Sequence, residues 1–180
     1  TGSALNLSIP DIGLQFGASA GRTGWLVSGY TLSVAAFSVP FGRLADITSR
    51  RNVLIAGIAL FVACCIAALL SGSMAMLLIS RVMQGVGAAM IFSTNTAVLI
   101  SVFPGEQRGR ALGCSLASTY VGLSAGPVIG GALNHNFGWR SIFVFIGMLG
   151  VAALVAALMK LPAEKRTELH VPGDSGVGRS

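Results

Sequence analysis

The residues best suited to chemistry in this sequence stand inside apolar runs. Arg81, Gln84 and Asn95 occur in a stretch over 74–99 whose other members are mostly Met, Leu, Ile, Val, Ala and Gly. Insertion scales put an arginine at the centre of a membrane helix at about 2.5–3.5 kcal/mol, and Arg81, seven residues into its span, is deep enough to be costly though near enough to the outer face for partial snorkelling. At about 100° per residue, Gln84 and Asn95 fall about 20° apart and Arg81 about 60° from Gln84, which makes one broad polar stripe on one helix face. Such a stripe is expected to line a wet cavity, with Arg81 holding water or biasing the protonation of a coupling carboxylate. The blander reading is a structural arginine bound to carbonyls of a kinked neighbour. Asn6 and Tyr30 are the polar candidates on the preceding apolar stretches.

Other chemistries lack their partners. Ser19, in Gly17-Ala18-Ser19-Ala20, would need a base within hydrogen-bond reach to act as a nucleophile. The two histidines, His135 and His170, fall in an outer loop and in the polar tail, so Ser19 reads as a turn residue. Cys64 and Cys65 sit mid-span and Cys114 near a helix start, with no second pair to complete a metal set and no disulfide framework. No phosphate-cradling loop is present, and neither a cofactor nor a metal is expected. The chain does not read as an enzyme.

The elements that must position these groups follow from composition. Of 180 residues, 53% are hydrophobic and 10% charged, where a soluble domain carries about 25% charged residues. Charge-free runs cover 23–42, 52–80, 82–105, 111–139 and 141–159, each near or above the roughly 18–20 residues that cross a bilayer as helix. Backbone in hydrocarbon must satisfy its own hydrogen bonds, and non-alternating Val, Ile, Leu, Ala and Gly runs do so as helices. Ser71-Gly72-Ser73 divides the second run in two. The expected fold is all-α: a polytopic bundle over 1–160 with spans near 1–15, 25–43, 52–70, 74–99, 111–133 and 142–159, the first of them truncated, and a polar linker or tail over 161–180. Spans three and six are nearly free of polar groups and are expected to face lipid on most sides, while the other four line something. Two triplets of opposite orientation follow the inverted-repeat logic of secondary transporters.

The twelve basic residues set the orientation. Arg43, Arg50, Arg51, Arg108, Arg110, Lys160, Lys165, Arg166 and Arg179 fall on one set of connections, against Arg22 and Arg140 on the other. The positive-inside bias places loops 42–51 and 104–110 and the tail in the cytoplasm of a plasma (inner) membrane protein. The net charge of +6 is then a topology signal answered by the anionic leaflet, and no nucleic-acid partner is expected.

Local motifs add specificity. The loop Gly42-Arg43-Leu44-Ala45-Asp46-Ile47-Thr48-Ser49-Arg50-Arg51, the stretch Arg81-Val82-Met83-Gln84-Gly85-Val86-Gly87, and the run Gly122-Leu123-Ser124-Ala125-Gly126-Pro127-Val128-Ile129-Gly130-Gly131 stand in order on the expected spans and faces. Gly122, Gly126 and Gly130 recur every four residues and share a face suited to close backbone approach, and Pro127 is expected to bend that helix. Asp46 and Arg50, four apart, suit a surface ion pair worth about 0.3–0.5 kcal/mol.

Together with Phe103-Pro104, Arg108-Gly109-Arg110 and Trp139-Arg140, these motifs resemble the amino-terminal six-helix half of a major facilitator superfamily transporter, in its multidrug:proton antiporter branch. The resemblance implies that Gly42, Asp46, Arg50 and Arg51 form a cytoplasmic gating loop in which Asp46 latches the outward-open state. It implies that Gly122, Gly126, Pro127, Gly130 and Gly131 lie at the interface with the carboxy-terminal half. That half is the implied partner, beside the lipid bilayer, a small-molecule substrate and protons. The function expected is proton-driven efflux of drug-like or amphipathic compounds by alternating access. The alternatives are a major facilitator symporter or exporter of a metabolite such as a sugar or organic anion, and a non-transporting truncated membrane module.

The charge split makes orientation testable. With the native cysteines replaced, a cysteine introduced at Ser49 is shielded from an impermeant thiol reagent in intact cells, and one introduced at Ser73 reacts. Labelling in the reverse order overturns the orientation.

Overall fold

The computed structural model describes residues 5–160. The polar tail expected over 161–180 lies outside the described residues. Six helices of eight residues or more follow one another among the described residues: α1 Ile9–Phe16, α2 Ala20–Ile47, α3 Arg50–Leu69, α4 Met74–Val102, α5 Gly105–Phe137 and α6 Arg140–Lys160. Five are long and apolar enough to cross a membrane, and no strand occurs among the described residues. The all-α bundle expected from composition is present.

Three boundaries differ from expectation. In the first segment Leu5 and Asn6 are helical, Leu7 and Ser8 form a turn, and α1 begins at Ile9. Pro10 is responsible, because it has no N–H to offer the carbonyl four residues back. The loop expected over 42–51 is almost entirely helix: α2 runs through Gly42 and Asp46 to Ile47, and Arg50 and Arg51 open α3, leaving Thr48 and Ser49 as the connection. Nothing in Gly42-Arg43-Leu44-Ala45-Asp46 breaks a helix, while the Ser49 side chain accepts from the Asn52 N–H and caps the next one. The loop expected over 104–110 likewise shrinks to Phe103 and Pro104, with α5 helical from Gly105. Proline ends the preceding helix, and Glu106 favours the first turn of the next.

The bundle is tightest where glycines let backbones meet. A Cβ on Gly85 would stand 2.6 Å from the Tyr30 carbonyl oxygen and 2.8 Å from Ser33 Cβ, so α4 and α2 touch there. Gly57 of α3 and Gly87 of α4 face each other, and a Cβ on Gly57 would lie 3.0 Å from the Gly87 carbonyl oxygen and 2.7 Å from Met90 Cβ. Both α4 glycines come from the Arg81–Gly87 motif. In lipid, where apolar contact gives helices no advantage over acyl chains, such close approach is a main source of association.

Two apolar clusters lie at opposite ends of these helices. One gathers Leu5, Ile12, Leu26, Ala68, Leu77, Trp139 and Phe143, and the other Leu54, Ile58 and Ala157. The expected sorting by polarity fails for the third span, because Gly57 lets α3 close on α4. The apolar α3 is enclosed through Val53, Leu54, Gly57, Ile58, Cys64, Cys65 and Ala68, whereas the polar α5 buries Gly130 alone among its described residues. The α5 hydroxyls bond within their own helix: Ser118 Oγ donates to the Cys114 carbonyl at 2.8 Å and Thr119 Oγ1 to that of Ser115 at 2.9 Å. A span so satisfied needs no polar neighbour.

Replacing Gly85 with Val is expected to destabilise the chain in detergent by at least about 1–3 kcal/mol, because the clash is with backbone. Thermal unfolding followed by circular dichroism checks it, and an unchanged midpoint contradicts the close crossing.

Candidate functional site

Between the two apolar clusters lies a polar layer centred on α4. Arg81 and Gln84, one turn apart, are both 0% exposed. The Arg81 Nε donates to the Leu26 carbonyl oxygen on α2 at 3.2 Å, and its Nη1 donates to Gln84 Oε1. Its Cζ stands 4.5 Å from the centroid of the Tyr30 ring, a cation–π contact. Gln84 Nε2 in turn donates to Cys65 Sγ on α3 at 2.9 Å. The guanidinium Nη2 is buried without a hydrogen-bond partner, and no carboxylate among the described residues stands within ion-pair distance of it.

Sequence spacing thus located Arg81 and Gln84 but joined them to the wrong third member. Asn95 is exposed, and its Nδ2 donates to Ser115 Oγ on α5 at 3.4 Å. Shared azimuth misled because eleven residues of helix separate Gln84 from Asn95 by about 16 Å along the axis, and a different neighbour faces α4 at each depth. Asn6 is exposed and carries no hydrogen bond to the Arg81 layer among the described residues. Tyr30 does belong to the layer, and it also borders an open cleft of about 1050 Å³ between α2, α4, α5 and α6. Cys65 and the Leu26 carbonyl were invisible to motif reading: the thiol because a cysteine in an apolar helix usually only packs, the carbonyl because every residue has one.

The glycine face of α5 borders the cleft too. Gly122, Gly126 and Gly130 line it, and a Cβ on Gly122 would meet nothing within 4 Å. A Cβ on Gly131 would stand 3.3 Å from Leu7 Cδ1. Pro127 lies within α5, whose helix continues on both sides. At the Thr48–Ser49 end, Asp46 Oδ1 accepts from Arg50 Nη2 at 2.9 Å and from Nε at 3.1 Å, an exposed pair that bridges α2 and α3.

The opposite end carries a clamp that the sequence did not disclose beyond the Trp139-Arg140 pair. Trp139 Nε1 donates to Gln15 Oε1 at 2.6 Å, the indole stacks edge-on against Phe143, and Arg140 Nη2 donates to the Ser71 carbonyl at 3.0 Å. Asn134 Nδ2 donates to Asp11 Oδ2. These bonds tie α1, the α3–α4 turn and the α5–α6 turn together.

Membrane-length helices packed through glycines around a buried arginine thus form the bundle. The Major Facilitator Superfamily profile matches residues 1–178, and the chain belongs to that family. It is 31% identical over 176 residues to the riboflavin transporter RibZ of Clostridioides difficile strain 630, a match covering 96% of this chain and 39% of that protein. It is 35% identical over 155 residues to the multidrug resistance protein Stp of Mycobacterium tuberculosis H37Rv, covering 86% and 29% respectively. With the methylenomycin A resistance protein of Bacillus subtilis strain 168 the identity is 33% over 176 residues, covering 96% and 36%. The chain therefore spans about a third of the length of these relatives.

The α5 face gives a direct check. Gly122→Leu is expected to leave the stability of this chain within about 0.5 kcal/mol of the parent, as at an open surface. A loss comparable to that of a buried glycine shows that another part of the chain covers the face.

Proposed function

We propose that the chain is the amino-terminal half of a secondary transporter that exports drug-like or amphipathic compounds by alternating access, driven by the proton gradient. The observation that carries the reading is the Arg81 guanidinium, buried at 0% exposure in a membrane-length helix, with Nη2 unpartnered and no carboxylate beside it among the described residues. A purely structural arginine would be expected to have all its donors occupied, since leaving one unsatisfied out of water is costly. A charge held this way raises the affinity of the layer for a carboxylate or for any group that loses a proton, so proton binding elsewhere in the transporter and occupancy of this layer oppose one another.

The remaining motifs take roles in the same cycle. Asp46 latches the opposite half in one state and returns to Arg50 in the other, and the bond to Arg50 is weak enough at an exposed site to be exchanged. Gly122, Gly126 and Gly130 offer a face on which the other half of the transporter can slide. The Thr48–Ser49 and Phe103–Pro104 connections face the cytoplasm of the plasma membrane, as the basic residues beside them favour. A second reading, transport of a metabolite, draws support from the riboflavin transporter among the relatives.

Everted vesicles carrying the complete transporter and loaded with an imposed pH gradient test the role of Arg81. Arg81→Lys is expected to reach the membrane at parental levels and to lose about tenfold or more of ethidium transport, because a compact ammonium cannot reproduce the planar multi-donor geometry. Arg81→Ala is expected to insert equally well and to be as inactive. Unchanged transport in both variants overturns the reading.

A further inference from the structure

We infer that Cys65 is a positioning residue for the buried arginine, acting through the Gln84 amide; the inference rests on the proposed role of Arg81 in coupling. Gln84 has two chemically different ends, and the structure sets which way they point. Guanidinium presents donors only, so the glutamine end that meets Arg81 must be the acceptor Oε1. The amide is planar, and its NH2 is therefore directed to the opposite side, toward α3. There it needs an acceptor, because Gln84 is fully buried and no water-exposed path serves it.

Cys65 supplies that acceptor. Its Sγ lies 2.9 Å from Gln84 Nε2, and the residue is only 2% exposed. Behind Cys65, α6 presents Gly147, where an added Cβ would sit in van der Waals contact with Cys65 Cβ at 3.5 Å. One chain of contacts thus runs from Tyr30 on α2, through Arg81 and Gln84 on α4, to Cys65 on α3. Without the sulfur, the amide is free to turn. A turned amide would place its donors against the guanidinium's donors and release Arg81 from the side where Oε1 holds it. The adjacent Cys64 makes no such bond among the described residues, which separates a packing thiol from a working one in two consecutive positions.

The test uses the complete transporter with all cysteines other than Cys65 replaced. The infrared S–H stretching band of that single thiol is expected to shift when Gln84 is changed to Leu; an unmoved band overturns the inference. In everted vesicles with an imposed pH gradient, Cys65→Ala is expected to lower ethidium transport several-fold and to displace its pH profile. Cys65→Ser, which keeps an acceptor of similar size, is expected to restore both. In the Gln84→Leu background, Cys65→Ala is expected to cause no further loss, and an additive loss overturns the inference because the thiol would then act independently of the amide. If the band shifts while Arg81→Lys transports normally, the bond to Gln84 stands and the coupling role of Arg81 is what fails. If Arg81→Lys is inactive while Cys65→Ala is normal, the coupling reading stands and the positioning role is what fails.

Discussion

A guanidinium charge shut inside an apolar bundle is the constraint on which the rest of this structure turns. Arg81 lies at 0% exposure between two apolar clusters, and its burial is tolerable because α2 meets it with a carbonyl acceptor and an aromatic face and its own helix meets it with the Gln84 amide. The Leu26 carbonyl can reach it only if α2 passes very close to α4. That approach depends on Gly85, where a Cβ would collide with the Tyr30 carbonyl at 2.6 Å. Gly85 belongs to the same short motif as Arg81 and Gln84, so the charge and the space that allows it to be bonded are encoded within five residues.

The helices divide accordingly. α2, α3 and α4 form a glycine-packed slab that holds the polar layer, and α6 closes its back through Gly147 and Gly150, whose missing side chains leave room for Cys65 and Val62. α5 is held mainly by the clamp of Trp139, Arg140 and Asn134 at one end and borders an open cleft along its glycine face.

The sequence alone determined the class, the helix number and the charged residue at the centre. Long runs without charge admit no other element in hydrocarbon, and Arg81 and Gln84, three residues apart, had to share a face of one helix. It also determined the i to i+4 pairing of Asp46 with Arg50, since local geometry suffices for it. Depth, partnership and enclosure were decided by tertiary structure. Asn95 shares the azimuth of Gln84 yet bonds to α5, because azimuth is a property of one helix and a neighbour is a property of the fold. Cys65 became a partner of Gln84 only when α3 was laid against α4 at Gly57 and Gly87, contacts between residues thirty positions apart. The apolar α3 proved enclosed because Gly57 lets it close on α4, while the hydroxyls of Ser118 and Thr119 on α5 bond to their own helix. A polar side chain satisfied by its own backbone carries no information about what lies beside it, and that information resides in the packing.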